Sequence, residues 1–120
     1  MDRVVIKKKM SFSVLHVSLE RIGNDWNAVI RGGEKPHIGC TVLAIPRLSL
    51  KGNQEISVTS SVLNVTGHKD EELCRYLAEK IARTKNGIVV CSGGFHMDSI
   101  NEEQIKEVID TVKEIVENEF

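Results

Sequence analysis

Three short polar segments each place one histidine beside glycine, and they hold most of the side chains that could do chemistry. The segments are GGEKPHIG at 32–39, TSSVLNVTGHKDEE at 59–72 and GGFHMDS at 93–99. Their imidazoles belong to His37, His68 and His96. Imidazole exchanges protons and binds anions or metal ions near neutral pH, so these segments are the first candidates for a functional site.

An anion is the first ligand that these segments suggest. Lys35 and Lys69 lie beside two of the histidines, and the last two segments each lead into a predicted helix. The N–H groups and dipole at a helix N-terminus attract negative charge. Glycine pairs such as Gly32 and Gly33 add further backbone N–H groups. The pattern therefore predicts a rim that binds phosphate or carboxylate.

Two other chemistries would use the same side chains. His37, His68 and His96, with Asp70 or Asp98 as a carboxylate, would suit a divalent metal ion, because three imidazoles recur at zinc sites. One histidine could instead act as a general acid or base, although no serine stands in an elbow motif that would supply a nucleophile. Read singly, the glycines are ordinary turn residues and the aspartates ordinary helix caps. The residues alone leave these interpretations open.

Hydrophobic periodicity predicts the elements that position the segments. Alternating apolar residues predict two hairpins, with strands at 11–22, 26–30, 38–45 and 55–65, and a short apolar run predicts a fifth strand at 88–91. The third strand is apolar almost throughout, which predicts burial on both faces, and Pro46 is expected to end its pairing. A helix is predicted between Asp70 and Asn86, and a second one after a capping box formed by Asn101 and Gln104.

The resulting order, β-β-β-β-α-β-α, is that of an α+β domain with a mainly antiparallel sheet and both helices on one face. Residues 1–10 suit a short helix, an extra edge strand or a frayed arm. The third and fourth strands form a hairpin, so His37 and His68 fall at the same end of it. If the fifth strand runs parallel to the fourth, as a helical crossover within one sheet requires, His96 reaches that end too. All three segments are then expected to meet at one edge.

Length and composition limit the classes of protein. The 120 residues suit one domain over the whole chain, and a formal charge of −1 predicts no general surface for nucleic acid. No apolar run approaches the roughly 20 residues that a membrane span needs. Cys40, Cys74 and Cys91 are far apart, which favours buried free thiols in a reducing compartment. We expect a cytoplasmic protein without nucleic-acid or membrane partners.

The three segments, taken in order, carry the motifs GGxxPHIG, SxxxxxxGHKDxEL and GxHxD. Together they resemble the small LpdD-like proteins, named for the D subunit that accompanies gallate decarboxylase. The resemblance runs from the second predicted strand to the second helix. It implies a fold similar to that of proteasome assembly chaperones and a homodimer. It also implies a non-catalytic partner of UbiD-type decarboxylases, which binds prenylated flavin mononucleotide or FMN and assists its delivery, with a flavin prenyltransferase as a further partner.

The resemblance also implies which residues bind the cofactor: Gly32, Gly33, His37, Asn64, His68, Lys69, His96, Asp98 and Arg47. Arg47 lies at the opposite end of its hairpin in the predicted topology, so only a site that spans a dimer would bring it to the ligand. The flavin phosphate is expected at the helix N-termini near His68 and Lys69. The flavin rings need an apolar slot, which a dimer groove would supply.

Three hypotheses about function follow. The first is the flavin-binding accessory protein, and the second is a small metal-dependent enzyme with His37, His68 and His96 as ligands. The third is a dimeric interaction module that uses the exposed face of the sheet. The chain shows neither a catalytic carboxylate pair nor a cofactor lysine motif, so we expect an accessory protein rather than a decarboxylase.

Overall fold

The computed structural model describes residues 3–52, 54–65 and 70–119. The elements, in chain order, are β1 (Arg3–Lys9), β2 (Val14–Ile22), β3 (Asp25–Gly33), β4 (Cys40–Leu48), β5 (Ile56–Asn64), α1 (Glu71–Lys85), β6 (Val89–His96) and α2 (Glu102–Glu119). The predicted order lacked β1. That strand is the extra edge strand, one of the three alternatives for residues 1–10, and it pairs with β2.

All six strands form one sheet in the order β1-β2-β3-β6-β4-β5. Neighbouring strands are antiparallel except β3 and β6, which are parallel. The sheet is therefore mixed, and the prediction of a mainly antiparallel sheet needs this correction. Its physical reason is the crossover through α1, which inserts β6 between the two hairpins in the same direction as β3.

The strand register brings the ends of four strands together. Cys40 at the start of β4 pairs with Asn64 on one side and with Gly93 on the other, and Gly33 lies opposite His96. Because β5 and β6 both run antiparallel to β4, they run parallel to each other, as the connection argument predicted. The ends of β3, β5 and β6 and the start of β4 form one edge, hereafter the site edge.

The strand β4 departs from its prediction in two ways. Pro46 does not end the pairing but lies within β4, opposite Val58 of β5. The pairing with β6 stops at Ala44, so the missing N–H of Pro46 costs no bond to β6. Leu43 and Ile45 are 37% and 41% exposed, so β4 is buried on one face only.

Both helices cover the same face of the sheet. Ser60 of β5 hydrogen-bonds Glu79 of α1, and Lys8 of β1 forms an ion pair with Glu114 of α2. The apolar stripes of the two helices pack onto the buried face of the strands. Leu77, Ile81, Ile115, Leu15, Leu19 and Ile30 are among the largest fully buried side chains. Burial of each contributes about 1.5–3 kcal/mol. Neither helix in the described ranges is long and apolar enough to cross a membrane.

The helix ends follow local signals. Asn86 takes the left-handed conformation, with a φ of 51°, and ends α1 as predicted. Asn101 Oδ1 accepts from the N–H of Gln104, and Gln104 Oε1 accepts from the N–H of Asn101, which confirms the capping box before α2.

The three cysteines are buried free thiols, as predicted. Burial raises the pKa of the Cys40 thiol above its ordinary range. A hydrogen bond with Cys91, together with burial, raises the pKa of the Cys74 thiol. Protonated, buried thiols are poor nucleophiles, so these two cysteines act as small core residues.

Candidate functional site

The carboxylate of Asp70 lies at the centre of the site edge, where α1 begins. Asp70 is 4% exposed. Its Oδ1 accepts from the backbone N–H of Phe95 at 2.9 Å, and its Oδ2 lies 3.0 Å from Nε2 of His37. Asp70 occupies the N-cap position that the sequence predicted, but its side chain caps no helix N–H. It connects α1 to the end of β6 and to the segment before β4 instead.

Two glycines make room for this carboxylate. A Cβ atom on Gly39 would lie 1.9 Å from Asp70 Oδ2, and one on Gly94 would lie 2.5 Å from the same oxygen. Both distances are far inside van der Waals contact. These glycines of the first and third motifs are therefore needed for the close approach of Asp70, in addition to any role in turns.

His37 and His96 stand beside each other above Asp70. Their ring centroids are 5.4 Å apart, and the rings are nearly perpendicular at 83°. Nδ1 of His37 lies 3.2 Å from the carbonyl oxygen of Lys35, while Nε2 faces Asp70. Both nitrogens thus face oxygen acceptors, and the ring can donate to both only when it carries two N–H groups. The juxtaposition of these two histidines at one edge agrees with the expected topology.

His96 also belongs to a surface cluster with Asp98 and Lys35. Nε2 of His96 lies 3.1 Å from Asp98 Oδ1, and Nζ of Lys35 lies 3.6 Å from Asp98 Oδ2. The hydrogen bond from His96, assisted by the charge of Lys35, lowers the pKa of the Asp98 carboxyl. Within the described ranges, Nδ1 of His96 has no hydrogen-bond partner, and its side chain is 38% exposed.

Backbone hydrogen bonds join the segment between β3 and β4 to the end of β6. The N–H groups of Glu34 and Lys35 point at the carbonyl oxygen of His96, at 2.8 and 3.5 Å, and the N–H of Gly39 donates to the carbonyl of Gly93. These three N–H groups are therefore engaged within the chain and are not available to an anion. The anion-binding role of Gly32 and Gly33 stays a prediction. Gly32 is buried beneath the Phe95 ring, and Gly33 adopts a φ of 87° against the backbone of His96.

The remaining predicted site residues are distributed between the two ends of the sheet. Asn64 ends β5 at the site edge, where its amide donates to Glu71 Oε1 at 2.7 Å. Arg47 lies at the opposite end of the β4–β5 hairpin, opposite Ser57, and its Nε donates to Thr59. The structure therefore does not bring Arg47 to the other predicted residues within one chain. His68 and Lys69 lie outside the described residues.

The metal hypothesis gains no support from the described ranges, in which no group of three or more His, Cys, Asp or Glu side chains is arranged to hold a metal ion. Two of its three ligands, His37 and His96, do lie side by side. The third, His68, is outside the described residues, so the three-histidine site stays a prediction.

An apolar cavity adjoins the site edge and was not predicted from the sequence. Its volume is about 290 Å³, and it lies between the first turns of α1 and α2 and the end of β6. The lining residues are Asp70, Glu72, Leu73, Phe95, His96, Met97, Ile100, Ile105, Val108 and Ile109. The apolar stripe at the start of α2 was visible in the sequence. Its position beside His96 was not, because that depends on how the two helices cross.

Comparison with known proteins shows a similarity in fold and a family relationship. A crystal structure of a chaperone complex for yeast 20S proteasome assembly is similar in fold, with a TM-score of 0.55 and 17% sequence identity over 98% of this chain and 94% of that chain. At this identity the likeness establishes the fold alone. No curated protein matches the chain. The family described as the prenylated flavin chaperone LpdD-like domain matches residues 10–120. With the match extending over all but the first strand, the chain belongs to the prenylated flavin chaperone LpdD-like family.

Proposed function

We propose that this protein binds prenylated flavin mononucleotide at the site edge and delivers it to a UbiD-type decarboxylase. The observation that carries the proposal is the pair of imidazoles side by side at that edge, His37 held by the buried carboxylate of Asp70 and His96 by Asp98. Family membership supplies the identity of the ligand. In this role the chain is a non-catalytic accessory protein, with FMN itself as a weaker analogue of the cofactor.

Phosphate recognition at this edge would rest on N–H donors more than on excess charge. The described part of the edge sets Lys35 and two imidazoles against the carboxylates of Asp70 and Asp98. One ammonium group thus faces two carboxylates, so directed hydrogen bonds must supply the attraction for an anion. His96 can donate to an anion through Nδ1 when its ring carries two N–H groups, because Nε2 already faces the Asp98 carboxylate. We expect His68, Lys69 and the start of α1 to complete the phosphate contacts.

The exposed position of the edge suits a carrier that must release its cargo. His96, Asp98 and Lys35 are all at least one-third exposed in their side chains, so a bound phosphate would remain accessible to a second protein. Handover requires an affinity that the acceptor enzyme can exceed. A flavin prenyltransferase would supply the cofactor. The buried free thiols are compatible with the cytoplasmic location that we propose.

Flavin titration tests the binding step. Prenylated FMN, or FMN as a stable probe, is titrated under anaerobic conditions into the wild type and the His96→Ala variant. We expect a loss of affinity of about tenfold or more in the variant, the value of one hydrogen bond to a charged group. His16→Ala is the matched control, because His16 lies within β2, where its cross-strand neighbours are Lys7 of β1 and Arg31 of β3. Equal affinities of all three proteins would contradict a phosphate site at His96.

A transfer assay tests delivery. Loaded wild-type protein is mixed with an apo-decarboxylase of the UbiD type, and the rate at which decarboxylase activity appears is compared with that from free prenylated FMN. We expect faster or more complete activation from the loaded protein. An identical time course with free cofactor would leave binding intact but would remove the delivery role.

We further propose that the chain is a homodimer that pairs through the exposed face of its sheet. Leu43, Ile45 and Leu63, on the hairpin of β4 and β5, are 37%, 41% and 76% exposed. Exposed apolar patches of this kind often mark contacts between proteins. Leu43, Ile45 and Arg47 are every second residue of β4, so Arg47 shares this face. A dimer through this face would be the arrangement in which Arg47 approaches the partner's site edge.

Sedimentation velocity tests this assembly. Ile45→Lys should convert the dimer to monomer, because a charge would be buried at the centre of the interface. Ile88→Lys, at a similarly exposed isoleucine ahead of β6, should leave the dimer intact. A wild type that sediments as a monomer at micromolar concentration would refute the proposal.

A further inference from the structure

The cavity between α1 and α2 lies along the apolar stripe of α2, which is buried over the rest of that helix. In the middle and last turns of α2, Val112, Ile115 and Val116 are 1%, 0% and 1% exposed. In its first turns, Ile105 and Ile109 belong to the same stripe but are only half-buried, and both line the cavity. Protein interiors leave few gaps larger than a water molecule. The opening is thus confined to the end of the helix pair that meets the site edge.

The lining of the cavity selects for an uncharged apolar group. Leu73, Phe95, Met97, Ile100, Ile105 and Ile109 contribute aliphatic, aromatic and thioether surface. The thioether of Met97 and the ring of Phe95 favour aromatic contacts. The polar groups in the lining are the carboxylates of Asp70 and Glu72 and the imidazole of His96. Two carboxylates would repel an anionic group inside the cavity, so a ligand's phosphate must stay outside it.

The size and position of the cavity relate it to the pair of histidines, His37 and His96. A volume of about 290 Å³ is at the lower limit for a small-molecule pocket and would hold part of a cofactor rather than all of it. His96 lines the cavity and also stands 5.4 Å from His37, measured between ring centroids. A ligand with an apolar ring system at one end and an anion at the other could therefore contact both places through His96.

We propose that this cavity receives the ring end of the flavin within a single chain, while the phosphate remains at the site edge. The proposal rests on the proposed flavin function and adds a location for the rings. It places the apolar slot within one chain, whereas the sequence led us to expect it in a groove between two subunits. The half-buried isoleucines of α2 would become covered when the ring enters, which supplies the apolar part of the binding free energy.

Riboflavin, which has the ring system and no phosphate, is the probe that separates ring binding from phosphate binding. Wild type and Ile105→Trp are titrated with riboflavin and with FMN. The larger side chain fills the cavity from a half-buried position, and we expect both affinities to fall by about tenfold or more, since covering about 60 Å² of apolar surface is worth about that factor. Ile88→Trp, at an exposed isoleucine before β6, is the matched control and should bind as the wild type does.

The outcomes distinguish this inference from the proposed function. If wild type and Ile105→Trp bind FMN equally well, the ring lies elsewhere and the inference is overturned while the flavin function stands. If the wild type binds neither FMN nor prenylated FMN, the proposed function itself fails. Should Ile105→Trp not fold, methyl NMR of the wild type decides the matter. Riboflavin must then shift the methyl signals of Ile105 and Ile109 more than that of Ile88, and a uniform absence of shifts overturns the inference.

Discussion

Removal of the Asp70 carboxylate should destabilise the whole domain, because this group connects three segments of the site edge. In Asp70→Ala, the N–H of Phe95 loses its acceptor and Nε2 of His37 loses a carboxylate partner at 3.0 Å. Each hydrogen bond to a charged group is worth about 1.5–3 kcal/mol, and the two share one carboxylate. We therefore expect a combined loss of about 3–5 kcal/mol in the free energy of unfolding.

Asp70→Asn should cost less than Asp70→Ala. The amide oxygen can still accept from Phe95, and the amide N–H can donate to Nε2 of His37 when that ring keeps its only proton on Nδ1, facing the Lys35 carbonyl. The charge is lost but the geometry is kept, so we expect a loss of about 1–2 kcal/mol. A stability that rises from Asp70→Ala to Asp70→Asn to the wild type would indicate a hydrogen-bonding role for this side chain.

Urea unfolding followed by circular dichroism measures these differences. A domain of this size has about 5–15 kcal/mol of stability in total, so the change in Asp70→Ala should be large. Asp110→Ala is the matched control, because Asp110 is exposed and pairs with Lys106 one helical turn away, which is worth at most about 0.5 kcal/mol. An Asp70→Ala variant within 0.5 kcal/mol of the wild type would refute the view that this carboxylate organises the edge.

Three further predictions concern stability. Gly39→Ala should lower the melting temperature, because its Cβ would displace the Asp70 carboxylate at a cost of about 1–3 kcal/mol; an unchanged melting temperature would show that the carboxylate can move freely. Asn101→Ala should cost about 1 kcal/mol in urea unfolding, through loss of the cap to Gln104, and Asn101→Ser should recover most of it. The Glu107 carboxylate accepts hydrogen bonds from the N–H and the hydroxyl of Ser11, which lowers the pKa of Glu107. The wild type should therefore be more stable than Glu107→Gln at neutral pH and lose this advantage as the pH falls through the lowered pKa. A stability difference that does not vary with pH would contradict this role of Glu107.

The helices and the meeting of the histidines could be predicted because they follow from local signals and from connection rules. The capping box at Asn101 and the left-handed Asn86 are encoded within a few residues of each other. The shared edge of His37 and His96 follows from one hairpin and one crossover, which leave few other arrangements.

The parts that could not be predicted depend on contacts between distant segments. An apolar run such as that of β4 is equally compatible with burial on both faces or on one, and only the position of the helices decides. Asp70 reads as a cap in the sequence, since its actual partner, the N–H of Phe95, lies 25 residues away. The insertion of β6 between β3 and β4 joins the two hairpins, and the sequence of neither hairpin gives a local signal for it.

The proposed binding of prenylated flavin at the edge of His37 and His96 can be measured on the intact protein. The measurement is native mass spectrometry of protein co-expressed with a flavin prenyltransferase and purified without oxygen. We expect a wild-type chain with the added mass of prenylated FMN, a His16→Ala variant that retains it and a His96→Ala variant that has lost most of it. A bare wild-type chain, from cells in which the prenyltransferase is active, would refute the proposed carrier role.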